Sequence, residues 1–122
     1  MAKILIADDD PILVEILKFR LEEAGYSVFV ALNGEEAIEN APEYRPDLVI
    51  LDSMMPIMAG PEVLAKFKAD AALKDIPIIM LTARNAASDI DASLAAGAAE
   101  YITKPFIPQD LLVRIEALVG EK

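Results

Sequence analysis

The sequence predicts an open, doubly wound α/β domain: five parallel strands with helices on both faces. Five short apolar runs recur along the chain, and a segment of helical spacing follows each one. Strict alternation of strand and helix implies a parallel sheet with right-handed crossovers. Five such units in 122 residues are too few for an eight-stranded barrel, so the open sheet is favoured.

The runs are KILIA (3 to 7), YSVFVA (26 to 31), DLVIL (47 to 51), IPIIML (76 to 81) and EYIT (100 to 103). Several are nearly continuous in β-branched and aliphatic residues, as strands buried on both faces should be. After Pro11, the residues Leu13, Ile16, Leu17, Leu21 and Ala24 form one helical stripe, which Gly25 ends. A second helix starts at Asn33, with Glu36 three residues on in a capping-box pattern. The third opens with Pro61 at its first helical position and carries Val63, Leu64 and Phe67. The fourth presents Ile90 and Leu94 before Gly97, and the last follows Pro108 with Leu111, Leu112, Ile115, Leu118 and Val119.

Composition narrows the function. The net charge of -10 argues against direct binding to nucleic acid or an anionic membrane, since both need clustered cations. With no Cys and no His, disulfides, thiol chemistry, Cys-based zinc sites and the commonest general base are excluded. Carboxylates, Lys, Thr or a metal must carry any chemistry. No apolar run approaches a membrane span, and MAKILIADDD turns acidic too early for a signal peptide. The expectation is one cytoplasmic domain over residues 1–122, without linker, repeat or output domain.

In open α/β sheets, ligands sit outside the carboxyl ends of the strands. The residues that follow the runs are Asp8, Asp9 and Asp10, then Asp52, Thr82, and Lys104 with Pro105. Asp10 before Pro11 reads as a helix N-cap. Asp8 and Asp9 fit either a site or capping and loop roles, Thr82 alone is a strand-end hydroxyl, and Lys104 alone is a solvated charge. Asp52 has no capping distance to the helix near Pro61. Two carboxylates about 4 Å apart repel by about 4 kcal/mol at the effective dielectric near a protein surface, so something should offset the cluster. All-oxygen ligands suit a hard divalent cation, and Mg²⁺ takes one or two carboxylates with waters and a phosphate oxygen.

The spaced motifs Asp8-Asp9, Asp52-Ser-Met-Met-Pro-Ile-Met-Ala-Gly60, Leu-Thr82-Ala-Arg and Tyr101-Ile-Thr-Lys104-Pro105-Phe106 closely resemble the receiver domain of two-component response regulators, from Lys3 to about Val119. The resemblance implies a flavodoxin-like strand order 2-1-3-4-5. It implies Asp52 as acceptor of a phosphoryl group from a histidine of a sensor kinase or phosphotransfer protein. Asp9, Asp52 and the backbone carbonyl of Met54 would bind Mg²⁺, with Asp8 acting through water or as a further ligand. Lys104, held by a Lys104-Pro105 peptide that is cis in the family, would pair with the phosphoryl group and beforehand partly neutralise the carboxylates. Thr82 would bond a phosphoryl oxygen and draw Tyr101 inward, changing the surface of the fourth helix, fifth strand and fifth helix toward a target protein or a second copy. Such a domain is a signalling switch, not a turnover enzyme.

Some positions depart from the family pattern. Ala59 stands where many relatives have Asp, which removes a turn or cap interaction. Ala98 and Ala99 replace two acidic positions before the fifth strand, while Glu100 is retained. Those changes bear on partner choice. The outward Arg114 and Glu116 could pair between subunits. Met54 and Arg84 sit where side chains of relatives influence attack by water, and Met54 has no group to orient it, which implies slow self-dephosphorylation.

Two other readings compete. A Mg²⁺-dependent phosphohydrolase also uses a strand-end Asp, but Ser53 and Met54 follow Asp52 in place of a second Asp. A flavodoxin-like cofactor binder would need a Gly-, Ser- and Thr-rich phosphate loop where this chain has DDDP.

Overall fold

The computed structural model describes residues 2–52, 55, 57–83 and 87–119. Its elements alternate as expected: β1 (Lys3–Ala7), α1 (Pro11–Glu23), β2 (Ser27–Ala31), α2 (Gly34–Tyr44), β3 (Leu48–Leu51), α3 (Gly60–Ala69), β4 (Ile78–Thr82), α4 (Ala87–Ala95), β5 (Glu100–Thr103) and α5 (Pro108–Val119). The strands form one parallel sheet in the order β2-β1-β3-β4-β5. Among the described residues, no helix is long and apolar enough to cross a membrane.

Side chains alternate across a strand, so each central strand feeds two cores. Ile4, Ile6, Leu48, Ile50, Ile79 and Leu81 meet Val14, Leu17 and Leu21 of α1 and Leu111 and Ile115 of α5. Leu5, Ala7, Val49, Leu51, Ile78 and Met80 meet Ala37 and Ala41 of α2 and Val63, Leu64 and Phe67 of α3. Each fully buried large side chain contributes roughly 1.5–3 kcal/mol. The apolar runs of β1, β3 and β4 are therefore buried on both faces, as their composition required. The edge strand β2 departs from that expectation, being half-buried along Ser27–Val30.

Local signals place the helix ends. The Asp10 carboxylate accepts from the Ile12 and Leu13 amides at 3.1 and 3.2 Å, capping α1. Asn33 accepts from Glu36 N at 2.8 Å, and Glu36 reaches back to Leu32 N at 2.9 Å, one residue before the cap. Gly25 and Gly97 end α1 and α4 at φ 101° and 111°, where a side chain would be strained. Helix α3 has Ala59 as its N-cap, with no side-chain bond, in keeping with the loss of Asp there.

Two helix faces differ from the sequence reading. In α1 the buried stripe is Val14, Leu17 and Leu21, while Ile16 is 49% exposed and Ala24 lies at the surface. Among the described residues of α4 the most buried is Ser93, 9% exposed, while Leu94 is 45% exposed. Helical spacing defines stripes, but when apolar residues occur all round a helix, only its seat on the sheet selects the buried one. Helix α4 stands beside α3 across a cleft of about 170 Å³ lined by Pro61, Leu64, Ser93, Ala96 and Tyr101.

Candidate functional site

The hydrogen bonds that extend the sheet ladder build the site. Asp8 N donates to Ala31 O at 3.2 Å and Asp52 N to Ala7 O at 2.9 Å, so both residues leave neighbouring strands at the same edge. Lys104 N donates to Thr82 O at 2.7 Å, which fixes the start of the segment after β5. The carboxylates of Asp8, Asp9 and Asp52 converge there, each with an oxygen within 4.8 Å of the others. Asp8 is 2% and Asp52 6% exposed, Thr82 is fully buried, and Asp9 faces solvent.

Lys104 crosses the mouth of this cluster. Its Nζ donates to Asp8 Oδ2 at 3.1 Å and lies 3.7 Å from Asp52 Oδ2. The other Asp8 oxygen accepts from Asp10 N at 2.9 Å. Among the described residues, Lys104 is the cation set against these three carboxylates, reaching two of them, so the described part of the site carries an excess of negative charge. Charges of one sign in a partly buried setting repel far more than at an open surface, and an all-oxygen donor set of this size fits a small hard cation. The Lys104-Pro105 peptide is cis.

Thr82 lies inside β4 as its last residue, one position further in than the apolar run suggested. Met80 belongs to the core shared with α2 and α3, so Thr82, two residues on, faces the same side. Tyr101 pairs with Met80 in the β4–β5 register and packs on that same core. Thr82 and Tyr101 are thus diagonal neighbours on one face of the sheet, a separation long side chains can span.

The segment after Asp52 is held from a distance. A Cβ on Gly34 would lie 2.5 Å from both the Met58 carbonyl oxygen and Val63 Cγ2, so any larger residue at the start of α2 must displace this loop. Within it, Ile57 has φ 72° and is 70% exposed. A β-branched residue in the left-handed region costs about 1–2 kcal/mol. Sequence reading missed both features. The sequence reading places the helix start at Asn33 without singling out Gly34, and Ile57 carries no turn signal. The expected Met54 carbonyl ligand and Arg84 lie outside the described residues. Arg114, read as a candidate for pairing between subunits, pairs within the chain with Glu100.

At the far end of β2, burial pushes the Tyr26 phenol above its ordinary range, with the Glu116 carboxylate adding to the shift.

The family model for the response regulator receiver domain matches residues 4–116. The chain is 39% identical over 117 residues to the alkaline phosphatase synthesis transcriptional regulatory protein PhoP of Bacillus subtilis, covering 96% of this chain and 48% of that protein. It spans about half the length of the curated relatives it matches. Among solved structures, it superposes on chemotaxis protein CheY4 of Vibrio cholerae with a TM-score of 0.91 at 34% identity, covering 97% of this chain and 98% of that one. The receiver domain of sensor histidine kinase PA1611 from Pseudomonas aeruginosa, described with a magnesium ion coordinated in its active site cleft, gives 0.89 at 28% identity over 98% of both chains. The chain belongs to the response regulator receiver family, whose members are signalling domains of two-component systems.

Proposed function

We propose that residues 1–122 act as one phosphorylation-switched receiver unit in which Asp52 accepts a phosphoryl group from a phosphohistidine. The donor is a sensor histidine kinase or a histidine phosphotransfer protein, which sets the reaction in the cytoplasm. The observation that carries this reading is the convergence of Asp8, Asp9 and Asp52 with Lys104 reaching two of them. In the transfer, an Asp52 oxygen forms a bond to phosphorus as the nitrogen–phosphorus bond breaks. The electron pair stays on the imidazole, which takes up a proton.

Catalysis of such a step is mainly positioning and charge stabilisation. Asp9, Asp52 and the Met54 carbonyl, with Asp8 beside them, would hold Mg²⁺, which when bound offsets carboxylate and phosphoryl charge. Lys104 turns from Asp8 to the phosphoryl oxygens. Thr82 donates to one of those oxygens, and Tyr101 follows on the same sheet face. The modification acts as a population shift toward the arrangement it binds better.

A docking surface for the donor adjoins the site. Ile12, Ile16 and Phe19 expose an i, i+4, i+7 apolar stripe along α1, 72%, 49% and 65% exposed. A cleft of about 310 Å³ joins that stripe to the mouth through Leu13, Lys104 and Phe106. A protein delivering a phosphoryl group to Asp52 has to cover this rim.

Incubation with Mg²⁺ and acetyl phosphate, read by mass spectrometry, tests the proposal. One added phosphoryl group is expected, absent without Mg²⁺ and in Asp52→Ala. Labelling of that variant at the wild-type level refutes the assignment, and steady phosphate release from several phosphomonoesters would favour a phosphohydrolase. Because the second residue after Asp52 in the sequence is Met54, which has no group to orient water, the label should outlast donor removal by well over seconds.

A further inference from the structure

The loop after Asp52 is gripped at both ends. At its near end the Asp52 amide donates to Ala7 O of β1 at 2.9 Å. At its far end Glu62 N and Val63 N each donate to Ala59 O at 3.1 Å, while the Ala59 side chain offers α3 no cap. Met58, one residue earlier, meets α2. The Cβ that buried Gly34 lacks would find the Met58 carbonyl oxygen, Val63 Cγ2 and Met58 Cβ all within 2.9 Å. A side chain can turn aside, whereas a carbonyl oxygen moves only with its chain.

Helix α2 is the fixed partner in this contact. Asn33 and Glu36 tie down its first turn, and Ala37 and Ala41 are buried in the core shared with Val63, Leu64 and Phe67 of α3. A core packed at native density leaves such a helix no room to retreat, so the loop is the part that yields. Next to Met58, Ile57 holds a left-handed backbone at φ 72° with its side chain 70% exposed. An exposed β-branched residue gains little from packing there, so that conformation persists because the two ends of the loop dictate it.

We infer that Gly34 is a positioning residue for the cation site of Asp8, Asp9 and Asp52. Its bare backbone sets the course of the loop leaving Asp52, and a side chain there weakens Mg²⁺ binding without touching a carboxylate. This role of Gly34 rests on the Mg²⁺ site proposed above, and its effect on labelling rests further on Asp52 as acceptor. In Gly34→Ala the Met58 carbonyl has to withdraw by roughly 1 Å to reach ordinary contact. Mg²⁺ demands near-ideal octahedral geometry, whereas Ca²⁺ accepts a longer and more flexible shell. A displaced loop should therefore cost Mg²⁺ more than Ca²⁺.

The test titrates the metal-free chain with MgCl2 and with CaCl2, followed by amide NMR. In wild type the Gly34 amide should shift with the same midpoint as the Asp52 amide, while those of Glu39 and Glu43 stay still. A Gly34 amide silent at saturating Mg²⁺ overturns the inference, and this arm needs no variant. Gly34→Ala, its fold checked by circular dichroism, should bind Mg²⁺ about tenfold more weakly, as losses of groups that orient metal ligands do, with a smaller loss for Ca²⁺. Gly25→Ala strains a left-handed turn elsewhere, at φ 101°. It should lower stability and leave both affinities as in wild type. Gly34→Ala/Val63→Ala removes the side-chain clash and keeps the one with the Met58 carbonyl, so Mg²⁺ affinity should stay low. Recovery of wild-type affinity in that double variant, or equal losses for Mg²⁺ and Ca²⁺, shows ordinary packing and refutes the positioning role. If the affinities behave as expected and Asp52 takes no label, the phosphoacceptor reading falls and the role of Gly34 stands.

Discussion

Two groups of acids in this molecule share the same chemistry and differ in everything that matters to function. On α2, Glu35, Glu39 and Glu43 follow one another at i, i+4 on an exposed face, where like charges cost a few tenths of a kcal/mol per pair. At the carboxyl edge of the sheet, Asp8 and Asp9 from the end of β1 and Asp52 from the end of β3, two of the three nearly buried, converge within 4.8 Å. Solvent screens the first group, whereas the second draws Lys104 onto two of its carboxylates. Convergence and burial make the site, and acidity alone does not.

That contrast can be broken most completely at its centre. Asp52→Asn should reduce phosphoryl labelling by acetyl phosphate to background, while Glu39→Gln should label like wild type. Lys104→Met should come next. It leaves a buried acid cluster without its ammonium, and with Lys104 partly solvent-exposed the expected loss is about 1–3 kcal/mol in metal-free urea unfolding, with slower labelling as well. A larger loss in Glu43→Gln than in Lys104→Met would undo the comparison.

Removing an acid should have the opposite sign. Asp9→Ala should raise the thermal midpoint in metal-free buffer by several degrees, on a scale of about 4–8 °C per kcal/mol for a domain near this size. The same variant should lose the stabilisation that Mg²⁺ brings to wild type, about 2.7 kcal/mol at one hundred times its dissociation constant. Lower stability of Asp9→Ala without metal would mean that the three acids are structural. Ile57→Gly sharpens the same region, because relief of the left-handed backbone should add about 1 kcal/mol to unfolding while leaving the carboxylates in place.

The smallest effect concerns Tyr26. Its phenol is raised by burial and by Glu116, so above about pH 10 the unfolded chain loses the proton first. Stability is then fully present below the ordinary phenol value and falls as pH rises through the shifted one. Tyr26→Phe should flatten that alkaline limb in unfolding measured between pH 9 and 11.

Much of this was legible residue by residue. Asp10 as a cap, Asn33 with Glu36, Pro61 and Pro108 near helix starts, and Gly25 and Gly97 near helix ends are matters of local hydrogen bonding and backbone freedom. Continuous aliphatic runs gave away the central strands, and the rule that ligands gather at the carboxyl ends of parallel strands located Asp8, Asp9, Asp52, Thr82 and Lys104. Ile16 and Leu94 were misread because each belongs to a valid apolar stripe, and which stripe is covered depends on the neighbouring layer.

By itself the sequence determined the number, kind and order of the elements and the residue types at the sheet edge, because these follow from period, propensity and capping within a few residues. Only tertiary structure decided that Lys104 settles on Asp8 as well as near Asp52, ninety-six positions from the first of these. It also decided that Arg114 pairs with Glu100 and that Gly34 bears on the loop after Asp52. Those outcomes depend on through-space distances between distant segments, and the reach of a long side chain is settled only when its neighbours are in position.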